Sequence, residues 1–192
     1  TQTVVITVNG TDDAPVITGG PDSSSLTETD SGLTDTGTVT IEDLDRSDNV
    51  AAAVDSVTVS GSGVASVPGS LNNATLQSFL AVSPTAILDG TETSDTLTWN
   101  FNSGTEAFDF LADGETLVLT YTISATDDSG STLSDTETVT VTITGTNDGP
   151  IASVDSGTST ESGGIANATV GSDATGNVLD NDADADVTDS LT

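Results

Sequence analysis

Thirty-one carboxylates against one cation set the chemistry open to this 192-residue chain. Arg46 is the cation. There is no Lys, His or Cys, and the net charge is −30. The acidic residues gather in short clusters: Asp12-Asp13, Glu42-Asp43 with Asp45 and Asp48, Asp113 with Glu115, Asp127-Asp128, Asn147-Asp148, and Asp182, Asp184 and Asp186. Side chains on extended backbone repeat every second residue, so a D-x-D pair at a strand end sends both carboxylates to one side. Such oxygens suit a hard divalent cation. Calcium takes ~6–8 of them in loose geometry. No single turn here supplies that many, whereas several turns meeting at one place would.

The same composition excludes other functions. A chain this acidic does not bind nucleic acid and is not drawn to an anionic membrane surface. No run approaches the ~18–20 apolar residues that cross a bilayer, so direct membrane insertion is not expected. Without cysteine there is neither a disulfide framework nor a thiolate metal site. Without His, Lys or Cys the usual bases and nucleophiles near neutral pH are missing. Paired carboxylates hydrolyse glycosides in some enzymes, but that needs a cleft with exposed aromatics, and Trp99, Phe101, Phe110 and Tyr121 read as core. The chain is read as non-enzymatic. A compact body of this charge repels itself, and divalent cations or high salt would relieve the repulsion.

The elements that must position these carboxylates are short Thr/Val strands with period-2 alternation. Strands are expected over Ser25–Asp30, Thr36–Leu44, Ser56–Ser60, Asp95–Phe101, Thr116–Thr126 and Leu133–Thr144. In Thr116–Thr126 the inward residues are Leu117, Leu119, Tyr121, Ile123 and Ala125. One stretch breaks the pattern. Asn72–Ala81 spaces Leu76, Phe79 and Leu80 by three and four, with Asn72 or Asn73 as cap, and predicts one short helix. Seven or so strands with turns between them make an all-β sandwich.

The stretch Thr136–Ile151 (TETVTVTITGTNDGPI) repeats the opening Thr1–Val16 (TQTVVITVNGTDDAPV) at an offset of 135 residues, with eight identities over 16 positions. A period that long is one domain, so the chain reads as a slice of a tandem array. It divides into 1–13, the last strand and linker of a preceding unit; 14–149, one complete unit; and 150–192, the opening strands of a following unit. The last part lacks the later strands of a sandwich, so neighbouring repeats or copies of the chain are expected to order it.

LVLTYTISATDDSGSTLSDTETVTVTITGTNDGPIA resembles the closing half of a VCBS-type repeat, the cadherin-like module of large bacterial surface adhesins. LTWNFNSGTEAFDFLADGETLVLTYTISATDD is similar to that family's middle, and GNVLDNDADAD to the opening of its next repeat. The resemblance implies a cadherin-like, Ig-like Greek-key sandwich in a tandem rod, exported to the bacterial cell surface, with Ca2+ at the junctions. For the N-terminal junction it implies Asp12 and Asp13 of the linker, Asp43 and Asp45 of a D-x-D turn, and Asp127 of an A-x-D turn as ligands, with Asn49 a weaker one. For the C-terminal junction it implies Asn147 and Asp148 of the linker, Glu28 of the first strand, and Asp113 and Glu115. Asp182, Asp184 and Asp186 would then supply the next unit's acidic turn. Both linkers, TDDAP and TNDGP, depart from the cadherin N-D-N-A-P form, and Gly114 stands where cadherins carry the arginine of D-R-E, which implies one or two ions per junction.

The leading function is a calcium-rigidified structural extender repeat of a secreted adhesin or surface fibre, serving cell adhesion or biofilm. Any host or glycan ligand would then lie elsewhere in the full protein. The alternatives are a self-assembling filament subunit completed by strands from neighbouring copies, and a glycan- or protein-binding adhesin module.

Overall fold

In the computed structural model, which describes residues 1–191, the alternating Thr/Val segments become nine strands. They are β1 (Val16–Thr18), β2 (Asp22–Thr27), β3 (Thr34–Glu42), β4 (Asn49–Ser60), β5 (Leu80–Ser83), β6 (Ala86–Asp89), β7 (Ser94–Asn102), β8 (Thr116–Asp127) and β9 (Ser134–Thr144). One α-helix, α1 (Asn73–Gln77), lies between β4 and β5. The strands form two sheets, ordered β1-β3-β7-β5 and β2-β9-β8-β4-β6. These contain the ABED and GFC strand orders of an immunoglobulin-type sandwich. The fold is therefore an all-β sandwich with little helix, as the sequence pattern requires.

Alternation decides the core. Along β8 every second residue is buried, and Leu117, Leu119, Tyr121, Ile123 and Ala125 are wholly so. Leu97, Trp99 and Phe101 of β7 face them from the other sheet and are at most 2% exposed. The Phe101 and Tyr121 rings meet edge to face at 6.4 Å, a preferred aromatic arrangement. Trp99 donates its indole N–H to Asp22 Oδ2 at 2.8 Å. It needs the bare backbone of Gly37 beside it, because a Cβ there would come within 2.5 Å of the ring.

The region between β4 and β7 differs from expectation. The helix is only five residues long, its first N–H groups capped by the Asn72 side chain at 3.0 and 3.2 Å. Phe79 packs edge to face on Phe101 and Phe108, and Leu80 already belongs to β5. Tertiary packing thus cuts the 3/4 spacing short. β5 and β6 were not expected. β4 starts seven residues before the predicted Ser56, because the run Ala51-Ala52-Ala53 has no visible alternation.

The pairing registers define two ends. Thr116 of β8 lies opposite Thr144 of β9, and β2 runs parallel to β9 with Thr27 beside Thr144. These mark the exit end, where the linker after β9 leaves. The other ends of β3, β4 and β8 mark the entry end, where residues 10–15 arrive. An eleven-residue strand such as β9 separates the two by roughly 35 Å.

Residues 1–15 form no regular element, and Val4, Val5, Ile6 and Val8 are 82–86% exposed. Beyond Pro150 the chain forms one short 3-10 helix, Ile165–Asn167, and three isolated bridges, all within 150–191. Those residues are largely exposed, with Val154 and Ile165 at 95%.

Candidate metal centres at the two ends

At the entry end two turns and the linker converge. The turn after β3 is shaped by its own carboxylates. Asp43 Oδ1 accepts the Asp45 N–H at 2.8 Å, and the Asp48 N–H returns to the Asp45 carbonyl at 2.9 Å. The turn after β8 closes on Asp127, whose Oδ1 accepts the N–H groups of Ser129 at 3.1 Å and Leu133 at 3.0 Å. The linker docks on both turns. Asp13 donates its N–H to Asp45 Oδ2 at 2.6 Å, and Asp12 Oδ2 accepts the Ser129 hydroxyl at 2.7 Å. Asn49 is instead occupied by Asp128, to which it donates its backbone N–H at 3.0 Å and its side-chain amide at 2.7 Å. These bonds hold the Asp128 carboxyl below the usual aspartate range.

At the exit end Glu28 extends the parallel β2–β9 pairing, its N–H donated to the Thr144 carbonyl at 2.9 Å. Its Oε1 accepts the N–H of Thr146 at 3.0 Å and the Thr146 hydroxyl. The linker residue Asp148 donates its N–H to Asp186 Oδ2 at 2.8 Å. Asp184 Oδ1 accepts the Asp186 N–H at 3.1 Å, and the Asp189 N–H reaches the Asp186 carbonyl at 2.9 Å. This repeats the entry-end pattern with Asp184, Asp186 and Asp189 in the places of Asp43, Asp45 and Asp48. Ile151 bridges Ala183 as Val16 pairs with Glu42.

Oxygens that share one calcium ion lie at most about 5 Å apart. Three sets meet that limit, each with ligand atoms within 4.8 Å of one another: Asp12, Asp48 and Asp127; Asp43, Asp45 and Asp48; and Glu28, Asp109 and Asp148. Glu28, Asp43, Asp127 and Asp186 are at least 97% buried. Seven carboxylate oxygens at the two ends are buried without a hydrogen-bond partner among the described residues. They are Asp43 Oδ2, Asp48 Oδ2 and Asp127 Oδ2 at entry, and Glu28 Oε2, Asp109 Oδ1, Asp148 Oδ2 and Asp186 Oδ1 at exit. Buried polar atoms are nearly always satisfied, and an unpaired buried charge is costly. Clustered orphan oxygens of this kind fit a hard cation.

The electrostatics agree. Burial, then the neighbouring carboxylates Asp45, Asp127 and Asp12, push the Asp43 carboxyl up. Glu28 is raised chiefly by burial, against the pull of its Thr146 bonds, with Asp148 and Asp109 adding to the rise. Burial and like charges also raise Asp48, Asp148 and Asp186.

Of the residues expected from sequence, Asp12, Asp13, Asp43, Asp45 and Asp127 come together at entry, and Glu28 and Asp148 at exit. Glu115 lies near enough for its charge to raise Asp186. Asp113 is exposed and joins none of the three sets. Asn147 turns its amide to the Asp148 carbonyl at 2.8 Å. Asp182 accepts the Ser153 N–H at 2.8 Å, while Asp184 and Asp186 form the turn that matches Asp43 and Asp45. Asp109 carried no sequence signal. The matching D-x-D-x-x-D spacing of 43/45/48 and 184/186/189 would have singled out Asp48 and Asp189.

No family model matches the chain, and no curated protein matches it. Among solved structures it is similar to the ASH / PapD-like domain 7 of human CEP192, at 13% identity and a TM-score of 0.42, covering 76% of this chain and 94% of that one. The CooA pilin subunit from enterotoxigenic Escherichia coli follows at 11% identity and a TM-score of 0.44, covering 69% and 98%. The periplasmic chaperone SfaE is similar at 6% identity and a TM-score of 0.37, covering 69% of this chain and 58% of its own.

Proposed function

We propose that the chain is a structural extender unit of a tandem, cadherin-like surface fibre, and that calcium bound at both ends fixes each unit against the next. The observation that carries this reading is the set of seven buried, unpartnered carboxylate oxygens divided between the two ends. Glu28, Asp109, Asp148 and Asp186 would hold an ion at exit; Asp12, Asp43, Asp45, Asp48 and Asp127 would do so at entry. The ion would supply positive charge where like charges otherwise oppose docking of the linker. The unit is read as non-catalytic. Its place is extracytoplasmic and at the bacterial cell surface, a reading supported by the cysteine-free composition and the VCBS-type resemblance. Among the described residues no helix is long and apolar enough to cross a membrane.

Calorimetric titration of the calcium-free chain tests the proposal. Saturable binding is expected, reduced when Glu28→Gln and Asp127→Asn are combined. An absence of saturable heat would overturn it.

A second reading, a filament subunit completed by neighbouring copies, is favoured by Thr1–Val8. This near copy of β9 leaves Val4, Ile6 and Val8 exposed where Val139, Val141 and Ile143 are wholly buried. Concentration-dependent light scattering that disappears on deleting residues 1–9 would support it.

A further inference from the structure

The two ends show complementary halves of one arrangement. The linkers correspond residue by residue at the offset of 135, Thr11-Asp12-Asp13 with Thr146-Asn147-Asp148. At exit the first residue of the triplet turns back to the unit it leaves, as Thr146 gives both its N–H and its hydroxyl to Glu28 Oε1. At entry the second residue reaches forward to the unit it joins, as Asp12 Oδ2 accepts the Ser129 hydroxyl. The third residue serves the forward contact through its backbone, Asp13 to Asp45 and Asp148 to Asp186.

Two hydroxyls therefore stand beside two deeply buried carboxylates. Glu28 and Asp127 are each 3% exposed, and each keeps one buried oxygen without a partner. In both, the other oxygen is the one that is tied down. Thr146 and the chain at Ser129 and Leu133 bind Glu28 Oε1 and Asp127 Oδ1, which fixes the carboxylate plane and leaves the free oxygen aimed into its acidic cluster. Ser129 Oγ lies 2.7 Å from both Asp127 Oδ1 and Asp12 Oδ2. A hydroxyl carries one proton. Asp127 Oδ1 already receives two backbone N–H groups, so the proton is best used on Asp12, which ties the linker over Asp127.

Resting on the calcium reading above, we infer that Thr146 and Ser129 are positioning residues of the junction, one for the unit behind the linker and one for the unit ahead. Their hydroxyls touch the carboxylates that would meet the ion, and do not themselves need to reach it. Removing an outer partner of this kind costs roughly 10–100-fold in metal affinity.

The test is calcium titration calorimetry on the full chain, with Thr146→Val, Ser129→Ala, and the hydroxyl-retaining Thr146→Ser and Ser129→Thr. Valine keeps the branched shape and the backbone N–H, so only the hydroxyl is lost. Melting in chelator is recorded for each variant. The expected result is at least a roughly tenfold weaker affinity for the first pair and recovery in the second pair, with melting in chelator lowered no further than the loss of one hydrogen bond accounts for. Wild-type affinity in Thr146→Val and Ser129→Ala overturns this inference while leaving the calcium reading intact. Failure of the hydroxyl-retaining pair to recover overturns it too, by showing that shape and not the hydroxyl matters. Absence of binding to the unmodified chain overturns both.

Discussion

The backbone N–H of Asp148 donates to the buried carboxylate of Asp186 at 2.8 Å. Asp13 makes the same bond to Asp45 at the opposite end, at 2.6 Å. In each case the linker is held by a carboxylate that sits among other carboxylates. Asp186 is the most buried carboxylate among the described residues at 1% exposure, yet the segment around it buries little apolar surface. Docking of 150–191 on the sandwich is thus a matter of charge and hydrogen bonding.

Asp186→Ala should accordingly release that segment without unfolding the sandwich. A hydrogen bond to a charged group contributes about 1.5–3 kcal/mol. Amide exchange at Ile151 and Ala183, which bond each other across the bridge at 2.7 and 3.1 Å, should quicken by about tenfold or more. The melting point of the nine strands should stay the same.

Acidity should act in opposite directions with and without cation. Burial and like charges raise Glu28, Asp43, Asp48, Asp148 and Asp186 above their ordinary values of 4.5 for Glu and 3.8 for Asp. A carboxyl raised in the fold binds its proton more tightly there than when unfolded. Its contribution is fully favourable below the unfolded value and is lost as pH rises through the folded value. The calcium-free protein should therefore gain stability on mild acidification from neutral pH toward those raised values. Asp89 and Asp128 are lowered by their bonds to Thr91 and Asn49, so their contribution is lost as pH falls through and below their folded values. With calcium present, protons compete for the ligand oxygens, and acidification should weaken binding. Melting curves against pH in chelator and in calcium check both signs.

Asp127→Asn separates binding from folding. The amide oxygen can still accept from Ser129 and Leu133, while the charge beside Asp12 and Asp48 is removed. Like charges about 4 Å apart repel by about 1–4 kcal/mol between water-like and surface-like screening. The variant should melt higher than the parent in chelator and gain less from calcium. Lower melting in chelator would show the charge to be stabilising by itself.

Tyr121→Phe should act on the core alone. The Tyr121 hydroxyl donates to the Leu76 carbonyl at 2.9 Å inside the sandwich, and burial pushes its pKa up. Its loss should cost about 1 kcal/mol, by the same amount with and without calcium, in chemical denaturation.

The parts of the fold legible in the sequence are those that packing dictates through alternation. Leu117 to Ala125 reads as one inward face because every second residue meets the opposite sheet, and Leu97, Trp99 and Phe101 read likewise. β5 and β6 were not legible, since four-residue strands on either side of Pro84 are too short for a period to show. The site divides in the same way. Asp43, Asp45 and Asp127 sit at strand ends in recognisable spacings. Asp109 sits between Phe108 and Phe110 in a stretch that reads only as core. It is brought to Glu28 and Asp148 by a turn in which Phe108 takes φ 71°, a conformation that no residue type there announces.

The most direct test of the central claim is thermal unfolding of the full chain in calcium and in chelator, at matched ionic strength so that simple screening is equal. Calcium at 100 times its dissociation constant should stabilise the fold by ~2.7 kcal/mol per site, seen as a clear rise in melting temperature that chelator reverses. Identical melting in the two conditions would contradict the account.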